Sequence, residues 1–222
     1  EVWQRLARRY KGRDVIWAYD LLNEPVEPPA GPGVVSWRDL ATRVTRAIRE
    51  IDPGKPVIFE PGPWGSPEGF DSLVPLDLDR VVYSFHMYEP HAFTHQGVGG
   101  SPTGISYPGV IGGETWDKQR LEEAVAPAAD FAREYNVQMY VGEFSAIRWA
   151  PGESARDYLR DCIDVFEQHG WDWSYHAYRE WDGWSVEHGP DPSDHRPTAE
   201  PTSRQKLLLS WFAKNGEIQK AE

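Results

Sequence analysis

Two glutamates stand where runs of apolar residues break off: Glu24 after "YDLLN" and Glu143 after "VQMYVG". A third apolar run, "SFHMY", ends in His86 and Tyr88, two residues apart and so on one face of a strand. A later aromatic stretch adds Trp173, His176 and Trp181. A lone loop acid is ordinarily just solvated. Two carboxylates ringed by His, Tyr and Trp can do chemistry, and the cleavage of a glycosidic bond asks for such a set. The leaving oxygen departs poorly unless one carboxylic acid protonates it, and the oxocarbenium-like carbon must be captured from the opposite face by a second carboxylate. A tyrosine hydroxyl can hold the nucleophile in place, and a histidine can help keep the acid's proton available.

This chemistry needs no metal and no cofactor, and none is expected. "HMYEPHAFTH" does offer His86, His91 and His95. His86 and His91 would diverge on a strand, and His91 and His95 would converge only on a helix, which the flanking sequence does not favour.

The elements that must position these groups alternate. "VWQRLARRYK" predicts a helix with Val2, Leu6 and Tyr10 on one face, stopped at Gly12. "VIWAYDLL" follows as a buried strand, then a proline-rich loop, then a helix from an N-cap at Ser36 to about Ile51. "PVIFE", "RVVYSFHMY", "VQMYVGEFS" and "WDWSYHAY" predict further strands, with helices over 116–135 and 153–169 between them. Such alternation implies a parallel sheet with helical crossovers, and strand C-termini in barrels of this kind are where active sites form. Residues 89–115 and, more weakly, 61–80 read as long loops, which tend to be functional in compact domains. No domain boundary shows, so 1–222 is expected to form a single domain.

Composition narrows the function classes. With 23 Lys plus Arg against 35 Asp plus Glu the net charge is −12, which repels nucleic acid. No apolar run reaches the roughly 18 residues that cross a bilayer, so no membrane partner is expected. The single cysteine, Cys162, falls in a helical pattern and is expected to be a buried structural thiol. Eleven Trp, ten Tyr and eight Phe are many, and in "REWDGWSVEHG" they sit among polar residues, as faces for sugar rings would.

The ordered motifs "YDLLNEP", "SFHMYEP", "VGEFS" and "WDWSYHAYREWDGWS" resemble strands four, six, seven and eight of glycoside hydrolase family 5, retaining β-glycosidases on (β/α)8 barrels. "YPGVIGGETWDKQRLEEAV" is similar to the family's entry into helix six. The resemblance implies that Glu24 is the acid/base, Asn23 a ligand of the sugar 2-hydroxyl, and Glu143 the nucleophile. It also implies that His86 and Tyr88 are the strand-six pair, Tyr88 hydrogen-bonding Glu143. The slot of the family's last tryptophan holds His176, leaving Trp181 or Trp173 to offer the aromatic face. The implied activity is hydrolysis of a β-linked glucan or related polysaccharide, with a secreted or periplasmic location. The alternative is an inactive carbohydrate-binding half barrel, or a subunit that needs a complementary chain.

The family's first three strands have no counterpart here, and a full barrel needs about 250 residues. The expected fold is therefore α/β, an incomplete TIM-type barrel of about five parallel strands. On a flat sheet, strands three apart stand roughly 14 Å from each other, whereas a retaining pair needs about 5 to 5.5 Å between carboxyl groups. The sheet must then curl, and its bare edges at "VIWAYDLL" and "WDWSYHAY" must be covered, by a second copy in a homodimer or by a complementing N-terminal fragment.

Overall fold

The computed structural model of the chain describes residues 1–27, 29 and 31–215. Helix α1 (Val2–Tyr10) leads to strand β1 (Tyr19–Asp20), helix α2 (Trp37–Arg49), strand β2 (Val57–Phe59), a 3-10 turn at Pro67–Phe70 and strand β3 (Val81–Met87). Next come the single helical turn α3 (His91–Thr94), a 3-10 turn at Val98–Gly100, and strands β4 (Gly109–Ile111) and β5 (Glu114–Trp116). Helix α4 (Lys118–Tyr135), strand β6 (Gln138–Phe144), helix α5 (Ser154–His169), strand β7 (Asp172–Trp173) and helix α6 (Ser203–Phe212) complete the order.

The five-stranded sheet runs β1-β2-β3-β6-β7 and is parallel, as expected, with β6 three steps from β1. Its outer strands are shorter than their apolar runs suggest. A strand extends only as far as its neighbour, and β2 offers three residues, so β1 pairs just Tyr19 with Val57 and Asp20 with Ile58. Val15 and Trp17, expected inside a buried strand, are 87% and 49% exposed. At the other edge β7 pairs only with Tyr140 and Val141, and residues 174–178 leave the sheet after one more bond, His176 N–H to Phe144 C=O at 3.2 Å.

The chain divides into two compact units. The first, 1–87, 124–142 and 169–173, holds most of the sheet. Its core is an aromatic chain in which Trp37 of α2 stacks on Phe59 at 5.7 Å, Phe59 meets Tyr83, and Tyr83 meets Phe131 of α4 at 4.9 Å. Ser36 caps α2 by accepting from the Asp39 N–H, and Trp37, Ala41, Thr45 and Ile48 bury its inner face at helical spacing. In α1 it is Ala7, not Val2, that is buried, and Trp3 anchors the helix by donating to the Leu21 carbonyl at 3.2 Å.

The second unit comprises 88–123, 143–168 and 174 onward. Its stretch 89–115, expected as a long loop, contains α3, a 3-10 turn and the antiparallel β4-β5 hairpin, joined by turns and extended chain. Gly112 and Gly113 turn that hairpin with φ of +62° and +89°, the backbone a two-residue hairpin loop demands. Tyr158 and Cys162 of α5 are buried, and Tyr107 donates to Asp161 at 2.9 Å. Burial pushes the Cys162 thiol well up, as befits a structural thiol. Among the described residues no helix is long and apolar enough to cross a membrane.

Candidate active site

In the first unit the loop after β1 carries Asn23, exposed, and Glu24, whose φ of 47° lies in the left-handed region. That conformation costs a glutamate about 1–3 kcal/mol unless its surroundings impose it. The imposing group is Glu60, one residue beyond β2, whose Oε2 accepts from the Glu24 N–H at 3.0 Å. Glu60 is 1% exposed. Its backbone carbonyl accepts from Trp37 Nε1 at 2.7 Å, which ties β2 to α2.

His86, on β3 and 4% exposed, stands between the two glutamates: Nδ1 lies 3.0 Å from Glu24 Oε1 and Nε2 lies 3.3 Å from Glu60 Oε1. The second contact is an ion-pair distance rather than an aligned hydrogen bond. Glycines make room for the trio. At Gly65, φ +64°, a Cβ would sit 2.7 Å from Glu60 Oε2, and the Gly65 carbonyl accepts from the His86 N–H at 2.8 Å. At Gly142 on β6 a Cβ would sit 2.8 Å from Ser84 Oγ and 3.1 Å from His86 Nε2. Gly142 thus has a packing reason to be small, set by the side chains of β3.

In the second unit Glu143 is half-buried near the end of β6. Tyr88 donates to its Oε2 at 2.8 Å, and His176 Nδ1 lies 3.4 Å from the same oxygen. His176 Nε2 in turn meets Glu180 at 2.8 Å. Tyr88 packs against His95 at 5.1 Å and Trp184 at 5.9 Å, and Trp184 continues to Trp181 at 5.4 Å and to His176 at 6.5 Å. Trp181, 39% exposed, also meets Trp149 edge to face at 5.8 Å.

The structure therefore joins Glu24 to His86 in one unit, and Glu143 to Tyr88 and His176 in the other. Trp173 belongs to the first unit, on β7. Sequence reasoning missed Glu60, although "VIFEP" shows the same carboxylate at an apolar run's end as the other two glutamates. It also missed Trp184, which lay in the flagged aromatic stretch. His91 and His95 correct an expectation: the single turn α3 does bring them together, rings stacked at 3.8 Å. Pro90 starts that turn and Gly97 follows it, so the flanks looked like loop.

Residues 1–185 match the family "Cellulase (glycosyl hydrolase family 5)". Endoglucanase C of Acetivibrio thermocellus is 30% identical over 203 residues, covering 79% of this chain and 58% of its own length. Cellodextrinase A of Ruminococcus flavefaciens is 27% identical over 176 residues, 76% of this chain and 50% of its own. A mutant form of Thermotoga maritima Cel5A in complex with cellobiose superposes with a TM-score of 0.72 at 27% identity, over 89% of this chain and 60% of that one. A hyperthermophilic endo-β-1,4-glucanase in complex with substrate shares the fold, with a TM-score of 0.76 at 23% identity over 96% of this chain and 64% of that one. The chain spans about half to three fifths of the length of the curated relatives reported. The fold class is accordingly α/β, of the (β/α)-barrel type.

Proposed function

The chain belongs to glycosyl hydrolase family 5, and from that premise we propose that it hydrolyses a β-1,4-linked glucan with retention of configuration, Glu24 serving as acid/base and Glu143 as nucleophile. In the first step a Glu143 oxygen forms a bond to the anomeric carbon while the glycosidic C–O bond breaks and Glu24 gives its proton to the departing oxygen. In the second, Glu24 takes a proton from water, the water oxygen attacks the same carbon, and the ester bond to Glu143 breaks. The observation that carries this reading is that Glu24 lies in the loop after β1, Glu143 lies near the end of β6, and each has its own orienting partner, His86 for Glu24 and Tyr88 for Glu143. Asn23 is assigned to the sugar 2-hydroxyl, and Trp181, Trp173 and His176 to the sugar faces.

The test is a 2-deoxy-2-fluoro-β-cellobioside with an activated leaving group, followed by peptide mass spectrometry, alongside a panel of β-glycans. A covalent label on Glu143 and release of reducing ends from β-1,4-glucan are expected. A label on any other residue would sink the assignment, and binding of cello-oligosaccharides without turnover would replace an enzyme with a binding module. A polymeric glucan does not cross a membrane, so an enzyme acting on it belongs outside the cytoplasm; finding the protein only in the cytosolic fraction of its cell would contradict this.

The edge strand β1 is flanked by exposed apolar side chains, Val15, Trp17 and Leu22, the last 48% exposed. Such an edge is a template for pairing. We assign its cover to a second copy of the chain or to a complementing N-terminal segment. Light scattering over a dilution series with activity in parallel decides: a monomer fully active at every concentration would remove the need for a cover.

A further inference from the structure

Glu60 presents a problem that the two-carboxylate chemistry leaves unused. It is a carboxylate 1% exposed, and a buried charge is costly unless it is paired and hydrogen-bonded. Its two oxygens have different duties. Oε2 accepts from the Glu24 backbone N–H at 3.0 Å. Oε1 is buried without an aligned hydrogen bond, and the donor facing it is His86 Nε2 at 3.3 Å. A carboxylate can only accept, so the 3.3 Å approach to Oε1 is attractive when Nε2 carries the ring proton and repulsive when Nε2 presents its lone pair. Trp37, whose Nε1 donates to the Glu60 carbonyl, and Gly65, whose Cβ position lies against Oε2, are uncharged.

We infer that Glu60 is a positioning residue which, through its two oxygens, fixes His86 as the Nε2–H tautomer and holds Glu24 in its left-handed backbone, so that His86 Nδ1 faces the acid's proton. The inference rests on the reading of Glu24 as the acid/base. With Nε2–H fixed, one proton is left for the 3.0 Å line between His86 Nδ1 and Glu24 Oε1. Placed on Oε1, it makes Glu24 a neutral acid donating to a nitrogen lone pair, and a hydrogen bond made by the neutral form favours that form. Were Nδ1 to carry the ring proton of a neutral imidazole instead, it would donate to an ionised Glu24, and the acid would be discharged before the substrate arrived. The tautomer therefore decides whether Glu24 starts a cycle with a proton to give.

Glu60→Gln separates the two duties. Glutamine has the same shape but a single acceptor oxygen, so it can serve the Glu24 N–H or His86 Nε2–H, not both, and its amide can donate to Nε2 and stabilise the opposite tautomer.

The experiment is long-range ¹H–¹⁵N spectroscopy of the whole chain labelled at histidine nitrogens, the His86 signals identified by their loss in His86→Gln. In the wild type, a protonated Nε2 and an acceptor-type Nδ1 are expected, and in Glu60→Gln a shift toward Nδ1–H or an average of the two. In parallel, Glu60→Gln should slow a glycoside with a poor leaving group by about tenfold or more, a part of the 10²–10⁴ that general acid catalysis supplies. A dinitrophenyl glycoside, which needs no proton, should lose less than about threefold in its first step.

A wild-type Nδ1–H tautomer overturns the proposal, and that measurement needs no variant to fold. An unchanged tautomer in Glu60→Gln, or equal losses on the two substrates, overturns it as well. If the wild-type chain turns over no glycoside, the functional reading falls, while the spectra still decide whether Glu60 sets the tautomer.

Discussion

Arg148 should be among the side chains whose loss the second unit tolerates least. Its side chain is wholly buried, and its guanidinium is wrapped by one loop: Nη1 donates to the carbonyls of Gly189 at 2.5 Å and Asp191 at 2.6 Å, and Nη2 to that of Asp194 at 3.1 Å. Pro192 C=O and the Asp182 carboxylate stand a little further off, each at 3.4 Å. The Arg148 N–H also donates to Gly183 C=O at 3.0 Å, so one residue gathers both ends of a segment that carries Trp184. Arg148→Met keeps the length and apolar stem but leaves four carbonyls and a partly buried carboxylate without their cation. Removing one partner from a buried charged network costs about 3–5 kcal/mol. With a urea m-value of about 3 kcal/mol/M, the upper end for small proteins, the unfolding midpoint should fall by about 1–1.7 M. Arg148→Lys should fall between, since one ammonium has three donors and no planar fork to span the carbonyls. The assay is urea unfolding followed by tryptophan fluorescence, which Trp184 and its aromatic neighbours report. A Met variant whose midpoint stays within about 0.3 M of the wild type would refute the argument that the loop is organised around this cation.

Four further outcomes are expected. Glu143→Gln should fold normally and lose nearly all turnover, whereas Glu24→Ala should still form the glycosyl-enzyme from a dinitrophenyl glycoside and fail on ordinary glycosides; equal loss on both substrates would withdraw the acid/base role. Cys162, 1% exposed with its thiol pushed up by burial, should resist a disulfide reagent at pH 8 until denaturant unfolds the chain; prompt labelling of native protein would contradict this. Tyr107→Phe should cost about 1–2 kcal/mol, because Asp161 loses a buried 2.9 Å donor, and an unchanged melting temperature would count against it. Desolvation, together with Asp52, raises Tyr19 to about 12, and burial raises Tyr107 and Tyr158 as well. Above pH 10 the unfolded chain therefore sheds phenolic protons that the folded chain keeps, so stability should be unaffected below pH 10 and fall from there upward; tyrosinate absorbance rising without unfolding near pH 10.5 to the full count of ten would show these three are not held.

What was legible in the sequence follows from how local each signal is. Glu24 and Glu143 stood out because an apolar run ending in a carboxylate is a pattern within one strand, and His86 and Tyr88 shared a face because side chains alternate along a strand. Five parallel strands followed from alternation with helices. Strand ends were misjudged because pairing depends on a partner's length: "VIWAYDLL" is apolar throughout, yet only Tyr19 and Asp20 face the three residues of β2. Glu60 shows the same limit more sharply. Its local pattern matches that of the two recognised glutamates, but its consequence comes from the Glu24 amide and the His86 ring, 36 and 26 residues away along the chain. A sequence displays a carboxylate at the end of a strand; whether that carboxylate meets solvent, a sugar or another catalytic group is fixed by which strands become neighbours. β2 lies between β1 and β3 in the sheet, so a side chain leaving its end can reach the groups that follow the strands on either side, which is how one buried glutamate comes to address both Glu24 and His86.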